Sequence, residues 1–320
     1  MGDRGANDLS TLLKSLEALR NARALALLAA TSALAGFLIM IGASATGRSG
    51  DPFGLVFAIL LATIVALIGI NATGLVLLDQ VDGQAGRDIL GAILDGVRAA
   101  LSVAGALIVL AAAFAVIVLA AYLLSWPALI PGIGGLFALL LAGPTLAATA
   151  LACALLAFVG PLILVAVWHG DDGMPALLRA LAILVKRPFA VFLRFLVLGI
   201  ILIPVALLLD GALTVAGGLV SGFYRSDLLG RTPALAHAGV HWNVLTGTGA
   251  SGLTGAGVSM SLVWYLSFSL IGVVCLLGSI FVYRAVSEGV NPGTPLWLEK
   301  ARAWIAQKIA RDRDTGGTMT

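Results

Sequence analysis

Uninterrupted apolar runs of about 20 residues constrain this chain more than anything else in it, because that length carries a helix across a bilayer core. Five runs are plain: Ala24–Ala45, Phe53–Leu78, Ala99–Leu124, Phe189–Leu209 and Leu262–Val286. Lipid offers no partner to an open backbone, so each run is expected to cross as a helix. A sixth span lies within Ile133–Trp168, a stretch too long for one straight crossing. Pro144 suits a first helical turn, where its missing N–H costs nothing. The fourth span is therefore expected at 144–168. That leaves Trp126–Ala142 as an uncharged interfacial turn or shallow re-entrant piece.

The expectation is an all-α, polytopic membrane bundle of six transmembrane helices. It parses into an N-terminal amphipathic cytoplasmic segment at 1–23, a membrane domain at 24–286 with an outer loop at 221–258, and a cytoplasmic amphipathic helix and tail at 287–320. Composition agrees: 60% of residues are apolar and 11% charged, against about 45–50% and 25% in soluble domains. A water-soluble enzyme and a disordered chain are both excluded. Cys153 and Cys275 sit inside apolar runs, which argues against a disulfide framework.

The few charges are sorted. Arg4, Lys14, Arg20 and Arg23 precede the first span, and further basic residues fill the second–third and fourth–fifth connections and the C-terminal segment. Only Arg48, Arg225 and Arg231 fall on the opposite side. The positive-inside rule then places both termini in the cytoplasm. Arg20 and Arg23 followed by an apolar run ending in Ala43-Ser44-Ala45 resemble a secretory leader, but the lead-in is long, and a retained signal-anchor is expected.

Two connections share a pattern 88 residues apart: Ile89-Leu90-Gly91-Ala92-Ile93 with Val97-Arg98, and Leu177-Leu178-Arg179-Ala180-Leu181 with Val185-Lys186. Leu12-Leu13-Lys14-Ser15-Leu16 with Arg20 is a looser third copy. Each places apolar residues at helical spacing beside charge. Either the chain holds three repeats of an amphipathic cytoplasmic-face helix plus a transmembrane hairpin, or these are three ordinary interface helices in an Ala- and Leu-rich protein. Beyond Thr294, which can cap, and Pro295, the segment to Asp312 reads as a further amphipathic helix. Trp297 and Trp304 share one face, with Lys300, Lys308 and Arg311 elsewhere, a pattern that anchors on anionic inner-leaflet lipids. A docking helix for another subunit is the competing reading.

Candidate chemistry is sparse. His237 and His241, spaced i, i+4, could aim two imidazoles at one metal, although Gly239 separates them and two loop histidines are the plainer reading. His169 closes the fourth span beside Asp171 and Asp172, as a haem ligand, a proton relay or simply a helix-end anchor. Asp210 interrupts an apolar stretch and is a default intramembrane site, with Pro204 able to open a cavity beside it. Asn71 and Thr73 are explained by interhelical hydrogen bonding, and Arg194 by snorkelling. The glycine-rich stretch Thr246–Gly257 lacks the Lys-Ser/Thr ending of a phosphate loop and is read as a linker. No cofactor and no nucleic-acid partner are expected.

The amphipathic Leu-rich lead-in, together with Val159-Gly160-Pro161 and the Ala/Leu/Arg helix after it, resembles the membrane domain of some bacterial glycerophosphodiester phosphodiesterases and related six-span inner-membrane proteins. The resemblance covers roughly residues 8–286 and implies architecture alone, since their catalytic soluble domain has no counterpart here. The expected role is a non-catalytic integral membrane subunit or scaffold, its partners the bilayer and other membrane-protein subunits. The alternative is a transporter or lipid-handling protein with a cavity near the fifth span.

Overall fold

A computed structural model describes residues 12–49, 52–84, 86–126, 134–223, 255–288 and 290. A 3₁₀ segment, Lys14–Arg20, leads into α1 (Ala22–Ser49), α2 (Phe53–Val81), α3 (Ile89–Ser125), α4 (Gly134–Trp168), α5 (Gly173–Lys186), α6 (Pro188–Phe223) and α7 (Gly255–Ser287). Six of these are long and apolar enough to cross a membrane: stretches of α1, α2, α3, α4, α6 and α7. The chain is thus an all-α, multi-pass membrane bundle. His237, His241, Trp297, Lys300, Trp304, Lys308 and Arg311, with most of the expected outer loop and the whole C-terminal helix, lie outside the described residues.

Local sequence explains where helices break and where they do not. Asn21 ends the 3₁₀ segment and caps α1, its Oδ1 accepting from the Ala24 amide at 3.1 Å, as expected of an Asn N-cap. α2 and α4 each stop at a glycine with positive φ, Gly83 at 65° and Gly170 at 95°. In both turns the next amide reaches back five residues, Gln84 to Asp79 at 3.0 Å and Asp171 to Ala166 at 3.2 Å. This is the Schellman closure, which needs a residue free to adopt the left-handed region.

The related segments at 89–98 and 177–186 diverge for a visible reason. In the first nothing breaks the helix, so the amphipathic segment and the span fuse into one 37-residue α3. In the second Pro188 removes an amide and disfavours helical geometry at Arg187, which sits at φ −137° and ψ 51°. The chain therefore turns from short amphipathic α5 into α6. Ala92 and Ala180, equivalent in the two segments, are both fully buried. The N-terminal segment with Leu12–Leu16 and Arg20 is mostly 3₁₀, so the three units share placement but not one helical form.

The fourth span also differs from expectation. α4 begins at Gly134 and runs through Pro144, so the latter part of Trp126–Ala142 is its first turns rather than an interfacial or re-entrant piece. A proline inside a membrane helix is tolerated where neighbouring hydroxyls take up freed carbonyls. Pro144 leaves the Leu140 carbonyl without its helical partner; the Thr145 hydroxyl donates beside it, to the carbonyls of Leu141 and Ala142, at 2.9 and 3.0 Å.

The termini of α2, α4 and α7, the starts of α1, α3 and α6, and all of α5 gather at one end, hereafter the basic end. The core sits there. Nine consecutive residues of α2, Asn71–Asp79, are buried on every side. Leu75, Val76, Leu77 and Leu78 of this stretch share one core cluster with Leu162 and Ile163 of α4, Ile183 of α5 and Leu277 and Ile280 of α7. Toward the opposite end burial thins: it persists at Gly42 of α1 and at Ala58 and Ala62 of α2, but in α3 it ends at Ala106, and from Leu107 to Leu124 that helix is exposed or half-exposed.

Close backbone approach builds the tight end. A Cβ on Gly96 would meet the Ala72 amide nitrogen at 2.9 Å, whereas one on Gly91 meets nothing within 4 Å. Gly96→Val is expected to cost about 1–3 kcal/mol by overpacking. Gly91→Ala should be neutral or slightly stabilising, since glycine weakens a helix interior by roughly 0.5–1 kcal/mol. Thermal unfolding in detergent separates the two; equal effects would mean that α2 and α3 do not pack here.

Candidate functional site

One polar pair joins two helices within the membrane-spanning part. Asn71 is fully buried. Its Nδ2 donates to the Leu67 carbonyl at 2.8 Å, and its Oδ1 accepts from the Trp168 indole at 2.9 Å. Trp168 in turn lies flat against Gly74, where any side chain would collide with the ring. The amide joins α2 to α4, which is the interhelical role its position suggested. Thr73 is buried, and its hydroxyl meets no partner among the described residues.

Asp210 lies exposed on α6, three residues before the end of the span Pro188–Leu213. At 1.5 Å per residue it stands about 33 Å from Pro188, opposite the basic end. α6 remains helical through Pro204. Asn71 and Asp210 therefore do not converge on one intramembrane site. Among the described residues no three His, Cys, Asp or Glu side chains lie together as metal ligands.

The concentrated chemistry is at the basic end, where charges lock the connections. Asp79, at the end of the buried stretch of α2, is 4% exposed in its side chain. Arg87 donates to it through Nε at 3.0 Å and through its own amide at 3.3 Å. The same guanidinium reaches Asp95 of α3 at 2.9 Å, so one arginine holds the end of α2 against the first turns of α3. Arg23 of α1 then donates to the carbonyls of Gly86 and Arg87, at 3.3 and 3.4 Å. Asn21 donates to Gln80 at 2.8 Å, and Arg284 of α7 pairs with Asp82.

A second group forms where α4, α5 and α7 meet. Arg179 pairs with Asp171 at 2.7 Å and approaches the Tyr283 hydroxyl at 3.5 Å. Burial works against the Arg179 charge, but the Tyr283 hydroxyl and the Asp171 carboxylate outweigh it and hold the guanidinium above its ordinary value. His169 sets Nδ1 2.8 Å from the Val165 carbonyl, with its ring centroid 5.2 Å from that of Tyr283. It is bound into the helix end, the anchoring arrangement among its readings. His169, Arg179 and Tyr283 line an open cleft of about 710 Å³ together with Arg284, Ser287 and Glu288.

Sequence reasoning missed the Arg87 clasp and the Trp168–Asn71 bond. The spacing Asp79–Arg87–Asp95, eight residues on each side, was the available signal for the first. Nothing local signalled the second, whose partners are 97 residues apart. Comparison with protein-family models, with curated proteins and with solved structures returned no match.

Two predictions follow from these pairs. Arg87→Met would leave the buried Asp79 carboxylate unpaired, at a cost of about 2–3 kcal/mol. That is below the range for a fully buried pair, because Arg87 is a third exposed. Denaturation in mixed micelles should show this loss, and an unchanged midpoint would remove the clasp. For Asn71→Ala and Trp168→Phe, a double-mutant cycle is expected to give a coupling of about 0.6–1.7 kcal/mol; additive effects would mean no bond forms.

Proposed function

We propose that the chain is a non-catalytic subunit or scaffold of a bacterial inner-membrane complex, with both termini cytoplasmic. Its partners are the bilayer, anionic inner-leaflet lipids and other membrane-protein subunits. The observation that carries this reading is the one-sided packing. The basic end is interlocked by buried contacts and ion pairs, while the apolar exteriors of α3, α4 and α6 away from it are left for lipid or for neighbouring helices. Ala111, Ala112, Ala113 and Ala115 of α3 and Ala142, Ala147 and Ala148 of α4 are exposed there, and small residues are what allow membrane helices to approach closely. Among the described polar side chains of the core, Asn71 serves helix pairing, and Ser269 and Ser279 bond carbonyls of their own helix.

The second reading, a transporter or lipid-handling protein, rests on Asp210, exposed within a candidate span and six residues after Pro204. Mild detergent extraction followed by native mass spectrometry separates the two. A scaffold is expected to come out with stoichiometric partners, and Asp210→Asn should leave that assembly unchanged. A lone monomer whose substrate flux in vesicles is abolished by Asp210→Asn would overturn the scaffold reading in favour of transport. For orientation, reporter fusions at the C-terminus and within the loop near Leu235 should report cytoplasmic and external positions respectively. The reverse pattern would sink the assigned topology.

A further inference from the structure

We infer that the cleft at the basic end is a binding site for the headgroup of a zwitterionic, amine-bearing phospholipid. The inference does not depend on whether the chain is a scaffold or a transporter. Depth comes first. The cleft is lined by His169, which follows the last residue of the α4 span, and by Tyr283, Arg284 and Ser287, the closing turn of the α7 span. A span ends where hydrocarbon gives way to headgroups, so this cleft opens at headgroup level. Its volume of about 710 Å³ falls within the roughly 300–1,000 Å³ usual for small-molecule sites.

The charges select the headgroup. Arg179 and Arg284 are partly exposed, 31% and 38% in their side chains. Each has an acidic partner, Asp171 or Asp82. The recorded pairs engage Nη1 of Arg179 and Nη2 of Arg284, and a guanidinium carries five N–H donors in a fork suited to phosphate oxygens. The Tyr283 hydroxyl, which accepts from Arg179, keeps its own proton as a neutral donor, while that of Ser287 donates to the Arg284 carbonyl. A purely anionic ligand nevertheless fits poorly, because the two arginines are already balanced by carboxylates and Glu288 adds a further negative charge at the cleft. The C-termini of α4 and α7 also end here, and helix C-termini favour cations. A phosphate with a tethered ammonium answers both halves: the arginines take the phosphate, and Glu288 with the helix ends takes the amine.

The test uses the full chain in phosphatidylcholine nanodiscs doped with equal small fractions of phosphatidylethanolamine and phosphatidylglycerol. Native mass spectrometry then reads the retained lipid. The wild type is expected to retain phosphatidylethanolamine over both others, because a primary ammonium donates N–H bonds that a quaternary one cannot. Glu288→Gln, on an exposed residue, should lower that retention about tenfold, the scale of one charge-assisted hydrogen bond. Arg179→Gln should weaken retention of every phospholipid, with Arg179→Lys intermediate. If Arg179→Gln does not fold, Glu288→Gln carries the test alone. Retention of phosphatidylglycerol equal to or above that of phosphatidylethanolamine, or no effect of Glu288→Gln, overturns the proposal. Displacement of the lipid by soluble phosphoethanolamine at matching concentration overturns the lipid as its source.

Discussion

Arg87 holds the structure at its most constrained point. Asp79 ends a stretch of α2 buried on every side, and a carboxylate there is tolerable only with a cation beside it. Arg87 supplies that cation from the far side of the turn and reaches Asp95 at the same time. The turn so fixed becomes a platform: Arg23 grips its carbonyls from α1, and Arg284 reaches Asp82 from α7. Four helices are thereby tied to one seven-residue connection, between Val81 and Ile89. Membrane helices gain little from burial against one another, since lipid tails are as apolar as leucine, so polar ties and close backbone contact set the order of the bundle.

Much of this architecture was legible from periodicity and run length. Six spans, an even crossing number and an amphipathic helix between the fourth and fifth can be read from hydropathy, because a bilayer converts apolar length almost directly into structure. Boundaries were read less well. Pro144 suits a helix start, but a proline in lipid can also be carried inside a helix, as it is in α4. Pro188 does break the chain. It stands at the edge of the apolar run, preceded by Lys186 and Arg187, where a kinked connection can meet water.

The site was less legible than the fold. Asn71 was correctly read as a pairing residue from its place in an apolar helix, but its partner could not be named, since nothing in the residues near Trp168 points to α2. Asp210 attracted attention as the sole acid within a run. In the fold it lies near the far end of α6, away from the concentrated polar groups. Those groups sit instead in and beside the connections between spans, at Asp79, Asp82, Arg87, Asp171 and Arg179. Sequence scarcity marks an intramembrane charge well; it does not mark charges that work at a membrane's edge.

The unequal packing along the bundle bears on how the protein meets membranes of different thickness. α3, with 37 residues, is about 55 Å long, well beyond a hydrocarbon core of about 30 Å. The excess is taken up by tilt or by protrusion. Since no residue between Leu107 and Leu124 is buried, tilting that half disturbs little of the interior, whereas the clasped end cannot follow. Hydrophobic mismatch at α3 is therefore absorbed in its second half, at a distance from the cleft among α4, α5 and α7, which sits at the clasped end.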